Sequence, residues 1–156
     1  MAFDPVRHAG VSHPSLHRDI PVPTLTLKLA APHDPERDQA LATALTRITA
    51  ATLGKRAEVT AVLIEELPAA RWFVGAQAVQ RPTALLEISI TEGTNTAAQK
   101  ATFIEAAFAE LQSRLAPGAS LEEASYVIVR EVPATDWGYG GKTQQARQAL
   151  RQQQGP

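Results

Sequence analysis

Leucine occupies every second position from Leu25 to Leu29 within "PVPTLTLKL", which begins at Pro21, and the same alternation returns in "PTALLEISI" from Pro82. A period of two predicts a strand with one buried face, and a proline at its start removes only one ladder bond at a sheet edge. Each strand leads into a helix start. Asp34-Pro35-Glu36 sets a capping carboxylate ahead of a proline at the first helical position, and Thr96-Ala97-Ala98-Gln99 has the spacing of a capping box. Positions three and four apart then mark one helical face, Leu41, Leu45, Ile48 and Thr52 in the first helix and Ile104, Phe108, Leu111 and Leu115 in the second. The helices are expected to stop near Gly54 and at Pro117-Gly118. A second strand follows in each half, "AVLIEELP" from Ala61 and "YVIVREVP" from Tyr126. Each runs into a proline and a tryptophan, Pro68 and Trp72 in one half and Pro133 and Trp137 in the other.

The chain therefore reads as a tandem repeat. The offset between halves is 61 from Pro21 to Pro82, 63 from Leu41 to Ile104 and 65 from Trp72 to Trp137, a drift that changes in loop length explain. Strand, helix and strand with a crossover of this length is a parallel βαβ unit. Two such units predict an α/β (α+β) fold with a four-stranded mixed sheet and both helices on one face. The opposite face is apolar in part and needs a cover, for which another copy of the chain is the natural candidate. The organisation read this way is an N-terminal extension (1–20), one domain of two repeats (21–143, divided at about 80 and 81) and a polar tail (144–156) that has room for a short helix and frays at its end. The extension holds His8, His13 and His17 in an unpatterned segment, spacings that do not make a preformed metal site. No metal and no cofactor is expected.

Composition narrows the partners. With 15 basic and 16 acidic residues in 156, there is no charge excess to draw the chain to nucleic acid or to an anionic membrane. The length suits one ordinary domain. The lack of cysteine removes disulfides, thiolate metal sites and a cysteine nucleophile. No apolar run approaches the ~18 residues that span a bilayer, and residues 1–20 lack a signal core. A cytoplasmic protein with small-molecule partners is the expectation.

A duplicated βαβ unit whose strands open on proline, closed by "PATDWGYGG", resembles the tautomerase superfamily, the 4-oxalocrotonate tautomerase-like proteins, over roughly Pro21 to Thr143. "SITEGTNTAAQKATFIEAAFAELQ", "DWGYGG" and "EELPAARWFVGAQ" look most like the double-length malonate semialdehyde decarboxylases and cis-3-chloroacrylic acid dehalogenases. The resemblance implies a homotrimer and keto–enol isomerase-like chemistry on a small 2-keto or unsaturated carboxylic acid, with an N-terminal proline amine as general base. A terminal amine titrates near 8, and burial beside cations brings it toward working pH. An internal proline offers no such base, because its nitrogen is a tertiary amide conjugated with the preceding carbonyl. By register Pro23 falls nearest the family's proline, with Pro21 as the alternative, and each follows other residues in this chain. Loss of the initiator methionine would expose Ala2. The loop Thr91–Thr96 contains none of the carboxylate-binding arginines that the resemblance implies there. His33 stands where single-repeat members carry an arginine, Ala61 and Tyr126 stand at the place of another, and Trp72 and Trp137 keep the aromatic wall.

The candidates for catalysis are thus Pro23, Pro21 and His33, and those for substrate binding are Arg71, Trp72, Trp137, Tyr126 and Arg130. Each has a plainer reading: a rigid strand opening for the prolines, a solvated loop residue for His33, core or interface burial for the tryptophans, and surface charge for the arginines. Gly138-Tyr139-Gly140-Gly141 reads as a tight hairpin, since the lysine-serine pair of a phosphate loop is missing. Two functions follow. One is an isomerase or lyase whose proline is exposed by processing or replaced by a base such as His33. The other is a member that keeps trimer and pocket, has lost the proline chemistry and binds a small ligand.

Overall fold

The computed structural model describes residues 22–154, so Pro21 and the histidines of the extension lie outside the described residues. Strand β1 (Thr24–Ala30) leads through Asp34 into α1 (Pro35–Leu53) and returns as β2 (Ala61–Glu66). A short hairpin, β3 (Phe73–Val74) and β4 (Gln77–Ala78), then crosses to the second half. There β5 (Thr83–Thr91), α2 (Ala97–Leu115), β6 (Tyr126–Val132) and the hairpin β7 (Gly138–Tyr139) and β8 (Lys142–Thr143) repeat the pattern, and α3 (Gln144–Gln153) ends it. The sheet order is β2-β1-β5-β6. The pairs β1–β2 and β5–β6 are parallel, and the halves join antiparallel between β1 and β5, from Thr24 opposite Ser89 to Ala30 opposite Thr83. The four-stranded mixed sheet read from the sequence is the one observed.

Local chemistry sets the helix ends. Asp34 accepts a hydrogen bond from the Arg37 amide at 3.0 Å, and Gly54 closes α1 with φ 64°. At α2 the Thr96 side chain accepts from the Gln99 amide at 3.2 Å while the Gln99 side chain accepts from the Thr96 amide at 2.9 Å. Both helices cover one sheet face, where Leu25, Leu27, Leu86 and Ile88 are buried beneath Leu41 and Phe103. Each such side chain contributes roughly 1.5–3 kcal/mol on burial.

The buried helix face differs from the one read by periodicity. Leu41, Leu45, Thr49 and Leu53 of α1 match Phe103, Ala107, Leu111 and Leu115 of α2, an offset of 62 rather than 63. Ile104 is therefore 39% exposed, and Thr52 and Phe108 are only half-buried. Adjacent apolar residues at 103 and 104 leave the helical phase open, and docking on the sheet selects Phe103. Strand β8 at Lys142–Thr143 leads directly into α3, so the polar tail from Gln144 takes the short helix its pattern allows. Thr143 caps α3, and the Arg147 guanidinium bonds the Tyr139 carbonyl at 2.7 Å while lying 3.7 Å over the tyrosine ring. No helix among the described residues is long and apolar enough to cross a membrane.

The two hairpins turn through matching pairs with positive φ, Gly75 and Ala76 in the first and Gly140 and Gly141 in the second. Ala76, at φ 63°, carries the Cβ strain that its counterpart Gly141 avoids. Ala76→Gly is expected to raise stability by about 1 kcal/mol, and Gly141→Ala to lower it by a similar amount. The readout is the urea midpoint at unchanged slope.

Candidate functional site

The antiparallel join sets the start of each central strand beside the end of the other, and so makes two corners. At the first, Pro23 opens β1, is buried, and its carbonyl accepts from the Ala61 amide at 3.2 Å. Because Thr24 pairs with Ser89, Pro23 lies level with Ile90, whose partner on β6 is Glu131. Two strand spacings separate Pro23 from Glu131, about 10 Å. Lys55 stands just beyond the Gly54 cap of α1, is only 5% exposed and feels the Glu131 charge. Its Nζ donates to Thr94 Oγ1 at 2.9 Å, and the Thr94 hydroxyl donates to the Thr91 carbonyl at 2.6 Å. Asn95, ahead of the α2 cap, holds the Leu53 carbonyl at 3.0 Å. Glu131 pairs with Lys100 at 3.2 Å.

Burial strips hydration from the Lys55 ammonium and lowers it from 10.5 to about 8, although the nearby Glu131 carboxylate opposes the shift. The chain thus has a buried amine near neutrality at the corner where Pro23 has only an amide nitrogen.

The second corner is equivalent in topology and different in chemistry. Ala84 stands in the place of Pro23, and its amide donates to Ser125 Oγ at 3.1 Å. His33 precedes the α1 cap as Asn95 precedes that of α2, and its Nδ1 meets both oxygens of Glu66 at 2.8 and 2.9 Å. Arg37 approaches the same carboxylate at 3.7 Å. A carboxylate on one imidazole nitrogen orients the ring so that the other can accept a proton. The His33 side chain is 71% exposed, however, and water surrounds whatever it would meet.

Three of the substrate-binding candidates come together elsewhere. Arg71, Trp72 and Tyr126 line an open cleft of about 500 Å³ with Lys28, Phe73 and Leu85, on the sheet face that carries no helices. The Arg71 guanidinium has no ion pair among the described residues. Trp137 lies on a separate cleft beside the second hairpin, and Arg130 is bound to Glu87 on the open face. Neither cleft is lined by Pro23 or His33. Lys55 and Glu131 were not among the candidates, because a lysine after a capping glycine is by type a surface residue and its partner Thr94 is 39 positions away.

The chain matches the family model described as tautomerase enzyme over residues 23–80, a segment that opens on Pro23. A fused 4-OT, wild type, solved as an asymmetric trimer is similar at 30% identity and a TM-score of 0.70, over 80% of this chain and 98% of that one. Native fused 4-OT is similar at 32% identity and a TM-score of 0.68, over 79% and 97%. A macrophage migration inhibitory factor-like protein from Entamoeba histolytica shares the fold at 18% identity and a TM-score of 0.62, over 78% and 97%. No curated protein sequence matches the chain.

The Lys55 shift carries a stability signature. Below about pH 8 the lysine is protonated in folded and unfolded chains alike, and the folded state bears the full cost of burying the charge. Between about 8 and 10.5 the unfolded chain binds more protons than the folded one, so stability rises with pH across that window. Urea titrations from pH 7 to 11 are expected to show this rise in the wild type and to lose it in Lys55→Met.

Proposed function

Because this chain belongs to the tautomerase superfamily, we propose that it assembles as a homotrimer and catalyses keto–enol proton transfer on a small 2-oxo or unsaturated carboxylic acid, without Pro23 as its base. One observation carries this reading. The corner that opens on Pro23 retains a buried amine, Lys55, held by Thr94, where a proline locked in an amide has no proton chemistry to offer. The partner corner has no comparable group, since the turn after α2 reads Ala116-Pro117-Gly118.

The open sheet face supports the trimer. Leu63, Phe73 and Tyr126 are 54%, 61% and 57% exposed, and apolar exposure of this kind favours a subunit boundary. In the assembly Arg71 and Trp72, carried on the segment after β2, border the Pro23 corner of a neighbouring subunit. Arg71 then meets the substrate carboxylate and Trp72 walls the apolar part of the substrate.

A second reading is a member that keeps trimer and pocket but only binds a small carboxylic acid. It draws on the loop Thr91–Thr96, which carries no arginine, and on the amide-bound Pro23. Ketonisation of phenylenolpyruvate by the full chain separates the two. Turnover well above the buffer rate is expected, with Arg71→Ala raising KM about tenfold through the loss of one charge-assisted contact. A folded protein without turnover that still binds pyruvate would leave the second reading in place. Light scattering is expected to give a trimer, and Leu63→Glu to dissociate it. A monomeric wild type would remove the shared site.

A further inference from the structure

We propose that copies of this chain join head to tail, the β2 edge of one against the β6 edge of the next, and so close a ring of equal contacts, a geometry that rests on the homotrimer reading above. The four-stranded sheet ends at β2 on one side and at β6 on the other, and neither outer strand has a further neighbour among the described residues. Of the large apolar side chains left exposed, Leu63 stands on β2 and Tyr126 on β6, so each edge has apolar area to bury. If all copies point the same way, a single kind of contact, β2 against β6, repeats around the ring. With one copy reversed, the ring also needs β2 against β2 and β6 against β6, and each edge must then fit itself as well as the other.

The side chains are suited to the uniform ring. On the face without helices β2 presents Ala61, Leu63 and Glu65, and β6 presents Tyr126, Ile128 and Arg130, each 65 positions further on. The chemistry inverts between these equivalent positions. A small residue answers a large ring, and an acid answers a base. Glu65 lies 4.0 Å from Lys28 and Arg130 is held by Glu87, yet both side chains remain exposed. A contact of β2 with its own copy gathers two Glu65 carboxylates on the outer strands, and a contact of β6 with its own copy gathers two Arg130 guanidiniums and two Tyr126 rings. β2 against β6 gives every contact one acid and one base, and like charges brought together are what suppress the wrong pairings. The flanks differ in bulk as well. Beyond β6 the second hairpin carries α3, fastened where Arg147 donates to the Tyr139 carbonyl at 2.7 Å, whereas beyond β2 the first hairpin runs through residues 79–82 into β5. A uniform ring gives every chain the same two neighbours, and so makes every copy of a site shared between subunits equal.

The full chain tests this by counting signals. It has two tryptophans, so a uniform ring is expected to show two indole N–H cross-peaks in a nitrogen-15 correlation spectrum at trimer mass, and Trp72→Phe to show one. A ring with a reversed copy contains unlike chains and multiplies both signals. Blocking one edge at a time is the second measurement. Leu63→Glu and Tyr126→Glu, each with unchanged circular dichroism, are both expected to fall from trimer to monomer mass in light scattering, because either change spoils every contact of a uniform ring. In the reversed ring the untouched edge would still pair with its own copy and leave a dimer. More than two indole signals at trimer mass, or a dimer of either variant, would overturn the head-to-tail ring and leave the homotrimer reading standing. A monomeric wild type would overturn both.

Discussion

The antiparallel contact between β1 and β5 is the constraint on which the rest of the molecule depends. Each βαβ half buries its strands under one helix, but neither half alone covers two strands on both edges. Seven registered pairs from Thr24–Ser89 to Ala30–Thr83 weld them into one sheet and set Leu25, Leu27 and Leu29 opposite Ile88, Leu86 and Ala84. The same pairing reverses one half against the other. Each strand start thus meets the other strand's end, a helix C-terminus and a helix N-terminus, and two corners arise without any residue being selected for them.

Duplication made those corners equivalent, and side-chain chemistry made them unequal. One has Pro23, Lys55, Asn95 and Glu131; the other has Ala84, His33 and Glu66. The difference that decides between them is water. His33 pairs with a carboxylate in the open, so its proton exchanges with solvent. Lys55 lies under the turn before α2, and its ammonium is penalised by the burial that would shelter a reaction. Lys55 sets a buried amine beside the turn that follows β5.

The face without helices has a different logic. Its rows mix Lys28, Glu65, Glu87 and Arg130 with Leu63, Leu85 and Tyr126. Such a surface is too apolar to be left in water and too polar to be a core, and a subunit boundary reconciles the two. The cleft between Arg71, Trp72 and Tyr126 lies on it, which places cationic and aromatic groups where neighbouring chains would share them.

Strands, caps, hairpins and the repeat were legible in the sequence because their causes are local: alternation at Leu25–Leu29, a carboxylate three residues ahead of an amide at Asp34, paired positive-φ positions at Gly140-Gly141. Helix phase was legible only to within one residue, since Phe103 and Ile104 are both apolar and contact with the sheet alone prefers the first. The candidate site was hardly legible at all. Arg71, Trp72 and Tyr126 could be named from their positions in the repeat, but their joining in one cleft, the capture of Arg130 by Glu87 and the exposure of His33 are set by cross-strand neighbours. Lys55 makes the division plainest. By sequence it is a charged residue after a helix stop, and it becomes a buried amine only because the fold brings a hydroxyl 39 residues away over its tip, since desolvation belongs to an environment and not to a residue type.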